Sequence, residues 1–171
     1  MSEGAAEHRV RGDAGTAVDR AALVSRLYGE HGARLYRYAL MILADAGDAE
    51  DAIQQVFAAI LADTRVVPEQ PAGYLRTAVR NAAYSMLRHR RVVRDTAPLL
   101  LRPASPDCTP AERVALEQGL ARLPPEQREI VHLHVYEGMT FKEAAETTGA
   151  SINTVAARYR YALQTLRRHI R

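Results

Sequence analysis

Arginine is the residue through which this chain can do chemistry, and that chemistry is the neutralisation of a polyanion. Arg76, Arg80, Tyr84 and Arg88 fall at four-residue steps, with Asn81 beside them and Arg91 continuing the patch. On a helix such positions share one face. An aromatic ring set among guanidinium groups can stack on an exposed base while the charges follow phosphates, which suits single-stranded or opening DNA. The competing reading is that Tyr84 packs internally and the arginines only solvate the helix.

A second basic set lies near the C-terminus. In "TTGASINTVAARYRY" (147–161), Ala145, Gly149 and Val155 have helix-turn-helix spacing. A small residue permits close approach, a glycine takes the left-handed turn, and an apolar residue packs the second helix back. Ile152, Val155, Tyr159, Ala162 and Leu166 are expected on its buried stripe. Asn153, Ala157, Arg160, Tyr161, Gln164 and Arg168 lie opposite, flanked by Thr154 and Arg158. Such a face fits a major groove, with its N-terminal residues at base edges; otherwise it is a basic, solvated helix face.

Charge is distributed unevenly along the 171 residues, although the net charge is only +3. Residues 72–94 carry six arginines and no acid, and residues 151–171 carry five arginines and no acid. Residues 45–63 carry five acids and no base. Two basic segments predict two polyanion contacts. The acidic helix would repel DNA, so its outward residues Asp51, Gln54, Gln55 and Ala58 either meet a protein or are simply solvated.

Enzyme and metal chemistry are not expected, and no cofactor is implied. The carboxylates of residues 48–63 lie on an outward face, and His132 and His134 are two apart on a helix, so they diverge. A lone cysteine, Cys108, has no partner for a disulfide or metal site. No apolar run approaches the roughly 18–20 residues needed to span a bilayer, and the polar N-terminus lacks a signal-peptide core. A cytoplasmic protein without membrane insertion is the expectation.

The elements that must position these faces are all helical. Residues 1–18 read as a disordered tail. Val24, Leu27, Tyr28, Leu35, Tyr38 and Ile42 form a helical stripe, loosened at Gly29 and Gly32. A second helix is predicted from Asp48 as N-cap, with Ile53, Val56, Phe57, Ile60 and Leu61 inward. "RVVPEQPAG" (65–73) breaks the pattern, and a third helix runs to about Arg91 with Leu75, Val79, Ala82 and Met86 buried. A proline-rich linker follows. "TPAE" (109–112) and "TFKE" (140–143) are capping boxes, and a helix beginning at "LPPEQ" carries Ile130, Val131, Leu133 and Val135. The prediction is an all-α protein: a tail (1–18), a first helical domain (19–93), a flexible linker (94–109) and a second helical domain (110–171).

These blocks resemble a sigma factor of the sigma-70 family, extracytoplasmic-function type. "DAGDAEDAIQQVFAAIL" resembles the region 2 helix that binds the β′ clamp helices of RNA polymerase core. "PAGYLRTAVRNAAYSMLRHRR" resembles the helix that melts and reads the −10 element. "LARLPPEQREIVHLHVYEGMTFKEAAETTGASINTVAARYRYALQTLRR" resembles region 4, which reads the −35 element and packs on the β flap. The resemblance implies polymerase contacts at Asp48, Asp51, Gln54 and Gln55, with Phe57 structural. It implies −10 contacts at Arg76, Arg80, Asn81, Tyr84, Arg88 and Arg91, with the loop 65–73 near a flipped base. It implies −35 contacts at Ser151, Asn153, Thr154, Ala157, Arg158, Arg160 and Tyr161. An anti-sigma partner is common in such factors. The linker, about 50 Å extended, would let the two faces reach elements more than a DNA turn (about 34 Å) apart. The chain departs from the family pattern at Tyr74, Ser85, Ala156, Ala157 and Tyr161. The alternative is a stand-alone helix-turn-helix regulator that never meets polymerase.

Overall fold

Helix ends leave backbone groups unpaired, and the way this chain satisfies them defines its architecture. The computed structural model describes residues 4–63, 70–89 and 109–169, with side chains from Asp19 onward. Its first half holds α1 (Gly4–Leu43), α2 (Ala46–Ala62) and α3 (Pro71–His89). Its second half holds α4 (Pro110–Ala121), α5 (Pro125–Val131), a π-helical turn (His132–Tyr136), α6 (Phe141–Thr148) and α7 (Ile152–His169). The linker and the loop 64–69 lie outside the described residues, and so does Arg91.

α1 begins at Gly4, inside the stretch that composition reads as a disordered tail. That stretch includes four alanines, good helix formers that oppose its polar character. α1 ends at Leu43, where Ala44 takes a left-handed conformation (φ 54°) and its N–H donates to the Leu40 carbonyl at 2.8 Å. The N-cap of α2 is Asp45 rather than Asp48: Asp45 is extended and accepts from the Asp48 N–H at 2.9 Å. Asp48 instead sits in the first turn, where the helix dipole favours an acid. Both expected capping boxes form, Thr109 with Glu112 and Thr140 with Glu143.

Two buried arginines close helix C-termini. The Arg20 guanidinium donates to the Ile60 carbonyl at 2.6 and 2.9 Å and also to the Asp63 carbonyl, tying α1 to the end of α2. Arg128 on α5 donates to the carbonyls of Met41 (2.6 Å) and Ile42 (2.9 Å) at the end of α1. It also donates to Ala121 (3.2 Å) and Leu123 (2.5 Å) at the end of α4. One cation thus serves two helix ends from two halves of the chain, where the dipoles favour positive charge. Burial pushes the Arg128 guanidinium down to about 10, still protonated at neutral pH.

The apolar stripes meet as expected in most places. Leu27, Leu35, Ile42, Ile53, Val56, Phe57, Ile60, Leu75 and Val79 form the core of the first half. Each such side chain contributes about 1.5–3 kcal/mol by leaving water. Leu61 is exposed at the solvent edge of α2, and Ala83 is more deeply buried than Ala82 or Met86. In the second half Leu120, Leu123, Ile130, Leu133, Ala144, Val155, Ala162 and Leu166 are buried. At Gly119 an added Cβ would lie 3.0 Å from Leu166 Cδ2, so glycine permits α4 to approach α7. Val135 is exposed, contrary to the stripe prediction. The cause is the π turn, in which the Glu137 N–H reaches back to the His132 carbonyl at 3.1 Å. That wider turn advances the register by one residue and rotates Val135 outward.

Candidate nucleic-acid and polymerase interface

The helix α7 is positioned by a turn that needs glycine. α6 ends at Gly149, which takes φ 69° with open space around it. α7 then starts with the Ser151 Oγ accepting the Thr154 N–H at 3.1 Å. Val155 is fully buried and holds α7 against α6. Asn153, Thr154, Arg160, Tyr161, Gln164, Arg167 and Arg168 are exposed, while Ala157 and Arg158 are half-buried. Arg160 lies 5.8 Å from the Tyr161 ring centroid. Ile152 is the exception to the predicted stripe: at the first helical position, ahead of the turn that packs, it is 49% exposed. Ser151, Asn153, Thr154, Arg160 and Tyr161 therefore share an open surface with apolar Ile152 among them.

The α3 face behaves differently. Arg76, Arg80 and Tyr84 do line up on one side of the helix, but carboxylates from the second half of the chain occupy them. Glu129, fully buried, accepts from Tyr38 Oη at 2.6 Å, Arg80 Nε at 2.7 Å and Tyr84 Oη at 2.6 Å. Glu137 pairs with Arg34 and lies 3.5 Å from Arg76 Nη2. Asn81 and Arg88 remain exposed.

Electrostatics follow from this arrangement. Burial first, then the Glu129 charge, raises the Tyr38 and Tyr84 phenols far above their usual range. Burial works most strongly against the Arg80 charge, but the hydrogen bond to Glu129 together with the attraction of the Glu129, Tyr38 and Tyr84 charges raises Arg80 overall. At Glu137 burial opposes the charge, yet His132 and Arg34 hold the carboxyl at about 2. His132 stacks between Tyr38 and Tyr136 (centroids 5.5 and 5.6 Å). His134 Nδ1 lies 2.7 Å from the Met139 carbonyl, and its ring meets Phe141 and Tyr159, so the two histidines do separate packing tasks. Among the described residues no three His, Cys, Asp or Glu side chains converge as a metal site.

On α2, Asp51, Gln54 and Gln55 are exposed and Asp48 is half-buried, on the side away from Ile53, Val56 and Phe57. Phe57 is buried and meets the edge of the Tyr28 ring at 5.2 Å, a structural role. An open groove of about 740 Å³ runs beside this helix, lined by Tyr28, Tyr36, Met41, Ile53, Gln54 and Tyr136.

Sequence reasoning missed Arg20, Arg128, Glu129 and Glu137 as organisers. The signal available was weak: isolated charges on otherwise apolar helical stripes at 128–129.

The fold and these faces define a two-part helical protein that carries a helix-turn-helix and a separate acidic helix. Residues 27–92 match the family model "Sigma-70 region 2" and residues 113–166 match "Sigma-70, region 4". The chain is 33% identical over 162 residues to the ECF RNA polymerase sigma factor SigL of Mycobacterium tuberculosis, covering 90% of this chain and 92% of that one. It is 31% identical over 177 residues to the ECF RNA polymerase sigma factor SigE of Mycolicibacterium smegmatis, covering 91% and 67% respectively. Its fold resembles the sigma factor RpoE of Bartonella quintana, solved in complex with the anti-sigma factor NepR. That match has a TM-score of 0.69 and 21% identity, and covers 85% of this chain and 95% of that one.

The chain belongs to the extracytoplasmic-function sigma factors of the sigma-70 family. It is an initiation factor that binds RNA polymerase core and directs promoter recognition. A stand-alone helix-turn-helix regulator is not favoured, because residues 27–92 match region 2 in addition to the region 4 match. Among the described residues no helix is long and apolar enough to cross a membrane.

Proposed function

We propose that Asp48, Asp51, Gln54 and Gln55 form the polymerase-facing patch of the protein, against the β′ clamp helices. The observation that carries this is an acidic α2 whose buried and exposed faces are cleanly separated, with Asp51, Gln54 and Gln55 left to solvent. Acid on this face disfavours DNA and leaves a protein as its partner. The α7 surface Ser151, Asn153, Thr154, Ala157, Arg158, Arg160 and Tyr161 reads the −35 element, and region 4 also meets the β flap. The α3 set Arg76, Arg80, Asn81, Tyr84 and Arg88 serves the −10 element, with Arg91 continuing it. The protein acts in the cytoplasm, without catalysis of its own, and an anti-sigma factor is a fitting regulator.

The test is equilibrium binding of the purified protein to bacterial core polymerase, alongside Asp51→Lys. The charge reversal should weaken binding at least about tenfold, or 1.4 kcal/mol, with unchanged helical content. Equal affinity of the two proteins would remove Asp51 from the interface.

A further inference from the structure

We propose that the free protein is held inactive by its own region 4, whose Glu129 and Glu137 occupy the α3 groups that would otherwise take promoter DNA. The inference rests on the reading of α3 as a DNA face. It goes further in identifying what competes for that face: two carboxylates of the same chain.

The competition is one of chemistry. A phosphate oxygen and a carboxylate oxygen are both anionic acceptors, and a guanidinium fork serves either through the same N–H groups. Arg80 gives Nε to one Glu129 oxygen at 2.7 Å and places Nη2 3.4 Å from the other. Tyr84 spends its hydroxyl on the same carboxylate at 2.6 Å. Its ring is also taken, since the Arg80 guanidinium lies 4.7 Å from the ring centroid, over the face on which a base would stack. Arg76 faces Glu137. Three of the five described members of the α3 set are thus engaged at once, and the remaining two, Asn81 and Arg88, stay outside the clasp.

The contact is built to hold. Glu129 is fully buried and takes three donors from the first half of the chain, Tyr38, Arg80 and Tyr84. Tyr38 is itself buried and carries no expected DNA role, so its hydroxyl serves the closed form alone. Arg128, the neighbour of Glu129, is anchored to the end of α1 through Met41 and Ile42. A closed form stabilised in this way lowers apparent DNA affinity by the fraction of molecules that are open. DNA engagement by α3 then requires region 4 to move away, which exchanges the Glu129 and Glu137 partners for phosphates.

The experiment uses the full chain with Cys108→Ser and dye labels at Ala22→Cys on α1 and Gln118→Cys on α4. Interdomain distance is read by energy transfer. DNA binding is read from the anisotropy of a fluorescein-labelled, random-sequence single-stranded 12-mer. Two variants loosen the clasp, Glu129→Gln and Tyr38→Phe. The second removes no charge, so an effect shared by both cannot come from deleting a repelling carboxylate. Both should lengthen the distance and tighten oligonucleotide binding by about tenfold, the scale of one lost charge-assisted hydrogen bond. Helical content and duplex binding through α7 should stay as in the parent. If neither variant moves the distance, the clasp is not what holds the domains together and the proposal falls. If the distance lengthens while oligonucleotide affinity stays constant, the closed form does not inhibit, and the DNA reading of α3 fails with it. Adding Arg80→Ala to Glu129→Gln identifies the face responsible: affinity must drop back, and an unchanged affinity overturns the assignment.

Discussion

Two basic helices in this protein look alike as strings and differ as surfaces. α3 carries arginines at four-residue steps with a tyrosine among them, and α7 carries arginines with two tyrosines, Tyr159 and Tyr161, among them. In the structure Arg76 and Arg80 of α3 are paired with carboxylates that are shielded from solvent, whereas Arg160, Arg167 and Arg168 of α7 face solvent. The difference lies in what each face has opposite it. Region 4 brings Glu129 and Glu137 to α3, and among the described residues no acid is paired with α7. A basic stripe therefore reports a capacity for anions, while the tertiary structure decides which anion fills it.

The largest expected effect breaks the closed side. Arg128→Ala removes the donor to four carbonyls at two helix ends, so it should cost on the order of 3 kcal/mol or more in a urea titration. A loss below about 1 kcal/mol would show those carbonyls to be served by water. On the open side the same substitution type should act on binding and spare the fold. Arg158→Ala should weaken −35 duplex binding by about 1–3 kcal/mol if it makes a bidentate base contact. If both affinity and sequence preference survive it, α7 has been aimed at the wrong groove face.

A smaller effect separates the way each face is held. The open face depends on backbone, since Gly149 at φ 69° sets the angle of α7. Gly149→Ala should cost roughly 1–2 kcal/mol of stability through left-handed strain, measurable by thermal melting, with no change in energy transfer between the two halves. A loss of that energy transfer would mean that the turn also supports the clasp. The smallest effect is acid sensitivity of the closed side. Glu137 has its carboxyl held at about 2 against an ordinary 4.5. Its contribution is complete above about 4.5 and fades as pH falls through that window toward 2. The interdomain distance should therefore grow as pH falls from about 4.5 toward 2 in the parent, and less so in Glu137→Gln. Equal growth in the two would assign the acid response elsewhere.

Much of this organisation was legible in the residues. Both capping boxes, the Gly149 turn, the Val155 anchor and the Ile53–Ile60 stripe follow from local rules of spacing and conformation. What escaped were local shifts at helix ends and turns and one feature decided by long-range contact. Asp48 looks like an N-cap until Asp45, three residues earlier, takes the extended conformation that a cap needs. Val135 and Ile152 fit apolar stripes, but a π turn rotates one and the start of α7 exposes the other. Glu129 reads as one more charge in "PEQREIV"; only the approach of α5 to α1, and the reach of Arg80 and Tyr84 from α3, show that three donors meet it.

The most direct test of the contrast between the two faces is arginine-selective modification of the free protein with a dicarbonyl reagent, followed over time by peptide mass spectrometry. The account predicts that Arg128 and Arg80 react slowest, Arg76 next, and Arg160, Arg167 and Arg168 fast. If Arg80 reacts as fast as Arg160, the α3 face is open in solution and the distinction drawn here is wrong.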